Sequence, residues 1–314
     1  MGATGVRHVQ KGHDMYIVSP SDKTELFETF KPLPQQVITG IEKFVLFVGN
    51  IITGHTMIAS LMDAHPNMIV SNEYLLINKV FQSRTEWLKN KTSLFNKLYE
   101  HSWRESHNGM TSISKALSGA HYGVGIISNY SWHGMYRNLK VIGDKCGKYI
   151  VSLYQQDPTH FRQLLKQLSD TLQIPMIRNP YDAVATKCLG SVTTQQPTET
   201  NKYNNPTCLK RIMTAFFSVE DWVMRMKNDA ELNLNVLDIH NADYVKFPVE
   251  TVRKVCEFFE VDCPEGYLQA CKEKAYSSTR KTRKLVAWPK ELVKDFDRAM
   301  KKFPFLQRYS YESD

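Results

Sequence analysis

The chain has 314 residues, 42% hydrophobic, 11% aromatic and 23% charged, enough for a sizeable core and excluding a disulfide miniprotein, a collagen-like fibre or a disordered linker. Its 40 Lys and Arg against 32 Asp and Glu give a net charge of +8, a surplus that favours an anionic partner. Eleven Lys or Arg but four Asp or Glu fall between Lys272 and Lys302, so most of the excess sits late in the sequence.

Residues 1–40 are polar and broken by Pro20, Pro32 and Pro34, and read as an N-terminal arm; residues 41–314 read as one domain. Phe44-Val45-Leu46-Phe47-Val48 lacks polar alternation, as a parallel strand covered on both faces requires. Thr56 to Ala64 carries apolar residues at helical spacing, and His65-Pro66 ends it. A strand reaching Glu73 and a helix over 85–100 come next, while 103–134 reads as a substrate-facing loop region with one short helix. The pattern then predicts a strand at 140–144, a helix over 158–171 capped by Asp157 with Pro158 in its first turn, and a strand at 174–177. A helix at 182–189 precedes a polar, mobile loop over 190–209. A helix at 211–228, a strand at 236–239, a helix at 248–259 and a basic segment complete the order. Strands alternating with helices predict an α/β fold: a three-layer, P-loop-like arrangement with a mainly parallel central sheet flanked by helices.

No apolar run is long enough to span a bilayer, and residues 1–30 lack a signal-peptide apolar region, so a cytoplasmic protein with no membrane partner is expected. The start Met1-Gly2-Ala3-Thr4-Gly5-Val6 has Val where a lipidation signal needs Ser or Thr. The sequons at Asn90 and Asn129 then go unused. Cys146, Cys188, Cys208, Cys256, Cys263 and Cys271 form no C-x-x-C pair, and are expected to be reduced, buried and without metal.

Two segments carry chemistry. Gly49-Asn50-Ile51-Ile52-Thr53-Gly54-His55-Thr56 has the spacing G-x-x-x-x-G-x-T between a buried strand and a helix, with His55 where a nucleotide triphosphatase carries lysine. Such a loop turns backbone N–H groups and a helix N-terminus toward an anion; an ordinary strand-to-helix turn with two glycines is the alternative. Arg178-Asn179-Pro180-Tyr181-Asp182 follows a strand, which places a guanidinium at the ligand-binding edge of an open α/β sheet, with Thr186 two helical turns on. Pairing of Arg178 with Asp182 at a helix cap is the alternative there.

The loop with its flanking strand and helix, the continuation Leu61-Met62-Asp63-Ala64-His65-Pro66 and the Arg-Asn-Pro-Tyr-Asp stretch with Thr186 together resemble a sulfotransferase that uses 3′-phosphoadenosine 5′-phosphosulfate (PAPS). The likeness runs over about 41–310 and is nearest the tyrosylprotein sulfotransferase branch and sulfotransferase-like proteins of invertebrates. It implies PAPS as donor co-substrate, no metal, and a small-molecule hydroxyl acceptor. It implies that Gly49, Asn50, Thr53, Gly54, His55 and Thr56 hold the phosphosulfate, and that Arg178, Thr186 and the basic residues Arg280, Lys281 and Arg283 hold the 3′-phosphate. The implied catalytic residues are Glu73 as base for the acceptor hydroxyl, Lys145 on the sulfonate and His55 as a donor. In isolation Glu73 also reads as a solvated carboxylate, Lys145 as a partner of Asp144 or Glu73, and the segment 277–284 as a solvated charge run. Nucleic acid is not an expected partner, since no reader motif or aromatic interleaving accompanies that run.

One departure matters. The family loop reads Pro-Lys/Arg where this chain has Ile51 and Ile52, so the cation that steadies the bridging oxygen is missing. A sulfotransferase-fold protein that binds a nucleotide or metabolite with little transfer is therefore the alternative expectation, and a P-loop ATPase or kinase is disfavoured by His55.

Overall fold

The computed structural model describes residues 7–11, 14–18, 30–83, 91–107, 132–168, 170–190 and 197–314. The expected start of the helix at 85, most of the 103–134 loop and the asparagines of both sequons, Asn90 and Asn129, lie outside them.

Within the stretch read as an arm, β1 (Arg7–Lys11) and β2 (Asp14–Val18) pair antiparallel, and the short helix α1 (Gln35–Thr39) leads to the sheet. The main sheet is built from β3 (Lys43–Val48), β4 (Met68–Asn72), β5 (Val141–Lys145), β6 (Asp170–Ile177) and β7 (Asn235–Val236) in the order β4-β5-β3-β6-β7, all parallel. A short β8 (Ile239–His240) also pairs with β6. The single strand expected at 236–239 is thus two pieces, and the break falls beside Pro175 of β6, which has no N–H for the ladder.

Helices cover both faces, as a parallel sheet demands. They are α2 (His55–Asp63), α3 (Leu76–Ser83), α4 (Lys91–His107), α5 (Lys148–Gln156), α6 (Pro158–Lys166), α7 (Pro180–Leu189), α8 (Pro206–Lys227), α9 (Asn241–Lys246), α10 (Pro248–Phe259), α11 (Glu265–Glu273) and α12 (Lys290–Met300). One core joins Phe44, Leu46, Ile69 and Ile142 to α3, α4, α5 and α6. A second joins Val45, Phe47, Val70 and Val141 to α2, α10 and α11. Alternate residues of each strand thus enter opposite layers, which is why these strands read as continuous apolar runs.

Three boundaries differ from expectation. The helix begun at Pro158 stops at Lys166 and β6 starts at Asp170, because pairing with Lys43 of β3 extends the strand backwards. α8 begins at Pro206, where Asn205 accepts a capping bond from the Cys208 N–H. The third concerns the helix expected over 85–100: α4 occupies Lys91–His107.

Four cysteines are not reduced thiols. Cys188 at the end of α7 pairs with Cys208 at the start of α8, Cα atoms 6.0 Å apart, and Cys256 pairs with Cys263, 5.7 Å apart. Sequence spacing hid both pairs, since it is the packing of α7 on α8 and the turn after α10 that brings them within reach. Cys146 and Cys271 remain free and buried.

Candidate active site

The strands' carboxyl ends bring the candidate residues to one edge. β3 gives way at Gly49 (φ 115°) to a loop closed by Gly54 (φ 110°), the N-cap of α2. Glycine is needed at position 54 twice over. The backbone is left-handed, and a Cβ would stand 2.8 Å from Asn241 Nδ2. Thr53 Oγ1 donates to the Asn50 carbonyl at 2.9 Å, tying the turn, and the first N–H groups of α2 have no helical partner.

Two loop side chains turn away from the crevice. Asn50 Nδ2 donates to Phe216 O (3.0 Å) and to Glu220 Oε1 (2.7 Å), anchoring the loop on α8, and burial pushes Glu220 up to about 7. The His55 ring is buried, with Nε2 3.0 Å from the Val48 carbonyl and Nδ1 3.1 Å from Thr53 Oγ1. Desolvation, offset in part by that carbonyl, brings its pKa down to about 4. Expected as a donor to the anion, the ring is instead a neutral internal pin. Ile52 shows the opposite character: a β-branched side chain with φ 67°, partly exposed at the loop's tip. Such a conformation is an outlier for isoleucine.

Across the sheet edge, Glu73 follows β4 and Lys145 ends β5. Lys145 Nζ lies 2.5 Å from Glu73 Oε1, with the lysine side chain 6% exposed and the glutamate 52%. The Glu73 N–H donates to the Lys145 carbonyl at 3.1 Å. Both Glu73 (φ 58°) and Leu75 (φ 61°) are left-handed. Asp144, fully buried, holds that turn by accepting from Tyr74 N (3.1 Å) and Leu76 N (2.8 Å), while Cys146 Sγ donates to it at 3.0 Å. Sequence reasoning missed Asp144's part, because nothing in Gly143-Asp144-Lys145 says which turn its carboxylate reaches.

Arg178, just past β6, joins three elements. Nη1 donates to the Ile52 carbonyl (3.3 Å) and to Thr186 Oγ1 (3.4 Å), and Nη2 to the Arg280 carbonyl (2.8 Å). Thr186 and Thr282 hydroxyls are 2.8 Å apart. Loop, α7 and basic segment therefore meet around one guanidinium.

Arg283 does not join them. It is fully buried, its Nη1 paired with Asp182 and, at 3.0 Å, with Asp314, and its Nε donates to the Tyr311 carbonyl. The expectation that Arg283 holds a phosphate is corrected by this core ion pair, since a cation already neutralised by two carboxylates has no charge to spare. It also replaces the imagined Arg178–Asp182 pair. Exposed Lys281 lies 3.3 Å from Asp314, and Arg280, the residue before it, is exposed. Among the described residues no group of three His, Cys, Asp or Glu side chains is arranged to hold a metal, and no helix is long and apolar enough to cross a membrane.

No curated protein matches the chain in sequence. Solved structures similar to it include a sulfotransferase, STF9, from Mycobacterium avium (13% identity, 86% of this chain and 79% of that one, TM-score 0.43). The sulfotransferase domain of the curacin biosynthetic pathway is similar at 13% identity, 87% and 98% coverage and TM-score 0.46. A mouse sulfotransferase, SULT7A1, solved with PAP, is similar at 11% identity, 85% and 87% coverage and TM-score 0.44. The assignment rests on sequence instead: residues 45–265, more than two thirds of the chain and including the loop, Glu73, Lys145 and Arg178, match the sulfotransferase family, to which this chain belongs.

Proposed function

We propose that the chain moves the sulfuryl group of PAPS to a hydroxyl of a small-molecule acceptor, with Glu73 as base. The observation that carries this reading is the convergence on Arg178 of the glycine loop, Thr186 and the basic segment. That arrangement suits a ligand with two anionic ends: the loop's N–H groups and the start of α2 for the 5′-phosphosulfate, and Arg178 with Thr186, Arg280 and Lys281 for the 3′-phosphate. Bound PAPS supplies the activated sulfur. As the acceptor oxygen bonds to sulfur, the bond from sulfur to the phosphate oxygen breaks and that oxygen keeps the electron pair. The acceptor's proton goes to Glu73 Oε2, since Lys145 holds Oε1. Lys145 has two further ammonium protons for the transferring oxygens, a cationic contribution that partly replaces the one absent at Ile51 and Ile52. The two disulfides favour an oxidising compartment over the cytoplasm.

The test is transfer of labelled sulfate from PAPS to a panel of phenols and alcohols. Glu73→Gln is expected to lower turnover by roughly 10²–10⁴ while leaving PAP affinity unchanged. Turnover within a few fold of the native protein would remove Glu73 as base. A second reading, nucleotide binding without efficient transfer, draws on Ile51 and Ile52; it gains if the native protein binds PAP and transfers to nothing on the panel.

A further inference from the structure

Asn72 is 5% exposed, yet among the described residues neither Nδ2 nor Oδ1 of its side chain has a hydrogen-bond partner. Buried amides are nearly always paired, and one left orphaned carries a desolvation penalty that folding does not recover. Its position says what the penalty is for. On β4, Ile69 enters the core layer shared with α3, α4, α5 and α6, while Met68 and Val70 enter the layer shared with α2. Alternation puts Asn72 on the α2 face. On β5, Ile142 and Val141 divide between the same two layers, which puts Lys145 on the α2 face as well. The parallel register sets Asn72 directly opposite Lys145. The two side chains thus stand side by side at the carboxyl edge, on the face whose helix begins at the glycine loop. Lys145 is close enough to that helix start for its charge to act on His55.

We infer that Asn72 is a catalytic residue whose Nδ2 donates to an oxygen of the sulfuryl group, an assignment that rests on the PAPS reading above. The chemistry fits the gap in this chain. The loop offers isoleucines where a cation is expected, and Lys145 is engaged with Glu73. A neutral amide donor meets charge on the transferring oxygens without competing with Lys145 for the base. Gln173, the other amide with both polar atoms buried and unpartnered among the described residues, is no rival. It lies mid-strand on β6, in register with Leu46 and on the opposite face from Ile174 and Met176.

PAP lacks the sulfuryl group and PAPS carries it, so the pair isolates this contact without any acceptor. Both are titrated calorimetrically into the native protein, Asn72→Leu, Asn72→Asp and the control Gln173→Leu. Asn72→Leu is expected to bind PAP within about twofold of native and PAPS at least about tenfold more weakly, the scale of one hydrogen bond to a charged group. Asn72→Asp should lose more PAPS affinity, and Gln173→Leu should keep the native PAPS-to-PAP ratio. Asn72→Leu should also melt at or above the native temperature, because an apolar side chain of similar size replaces an unpaired amide. An unchanged ratio in both Asn72 variants overturns the inference, as does a lower melting temperature with equal losses for both nucleotides. Native protein that binds neither nucleotide overturns the PAPS reading itself, a result distinct from either.

Discussion

The two halves of the crevice are built on opposite plans. Around Arg178 the polar groups are already bonded to one another: the guanidinium ties loop, α7 and basic segment, and Thr186 meets Thr282; behind them Arg283 Nη1 is held by Asp182 and Asp314, with Nη2 buried and unpartnered among the described residues. Around Glu73 and Lys145 the structure is left tense. Glu73 and Leu75 hold left-handed backbones, and Asn72 is buried without a partner among the described residues. The first half gains shape from internal bonds before any ligand arrives. Its neighbour keeps backbone strain and an unmet buried amide, features that cluster at functional sites.

Removing the buried ion pair behind the bonded half should cost most. Arg283→Met leaves Asp182 buried without its partner, and loss of roughly 3–5 kcal/mol is expected in chemical denaturation; a loss below about 1 kcal/mol would mean that the ion pair does not organise this region. Glu220, beneath the loop, is expected to show its effect once the pH rises above about 4.5 and in full above about 7. Its folded pKa is raised from 4.5 to about 7, so the folded state binds more protons than the unfolded between those values and stability falls as pH rises through that window. Glu220→Gln keeps an acceptor for Asn50 and cannot ionise. It should be more stable than native by on the order of 1–3 kcal/mol at pH 8 and no more stable at pH 4. Equal effects at both pH values would break the link to titration. The smallest change is expected at the loop tip, where Arg178 meets the Ile52 carbonyl: Ile52→Gly relieves a left-handed β-branched residue at some cost in chain entropy, a net gain of less than about 1 kcal/mol. Destabilisation by that variant would show that Ile52 is held by packing and is not strained.

How legible this was depends on which interactions set each feature. The strand at 44–48, the helix after the loop and the placing of Arg178 after a strand follow from local patterns, and the structure has all three. The early start of β6 and the division of β7 from β8 depend on what neighbouring strands offer, which no local window contains. The same holds within the site. Glycines at 49 and 54 announce a left-handed loop in the sequence, whereas Ile52, Glu73 and Leu75 adopt that conformation against their own preference and give no warning. Arg283 reads like Arg280 and Lys281 in a basic run; only the fold of residues 309–314 back onto α7 sets it apart. Asn72 had one visible signal, a polar Ser71-Asn72-Glu73 triplet ending an apolar strand, but its pairing with Lys145 is a matter of register.

The central claim is that the crevice around Arg178 is a site for a 3′-phosphorylated adenine nucleotide, already assembled by the chain itself. Its most direct test is calorimetric titration of PAP and of adenosine 5′-monophosphate into native protein and Arg178→Ala. The account predicts that native protein prefers PAP. It also predicts that the variant loses roughly 1.5–3 kcal/mol of PAP binding, the range for hydrogen bonds to charged groups, while binding of the monophosphate changes little. Equal losses for both nucleotides, or native protein indifferent to the 3′-phosphate, would contradict it.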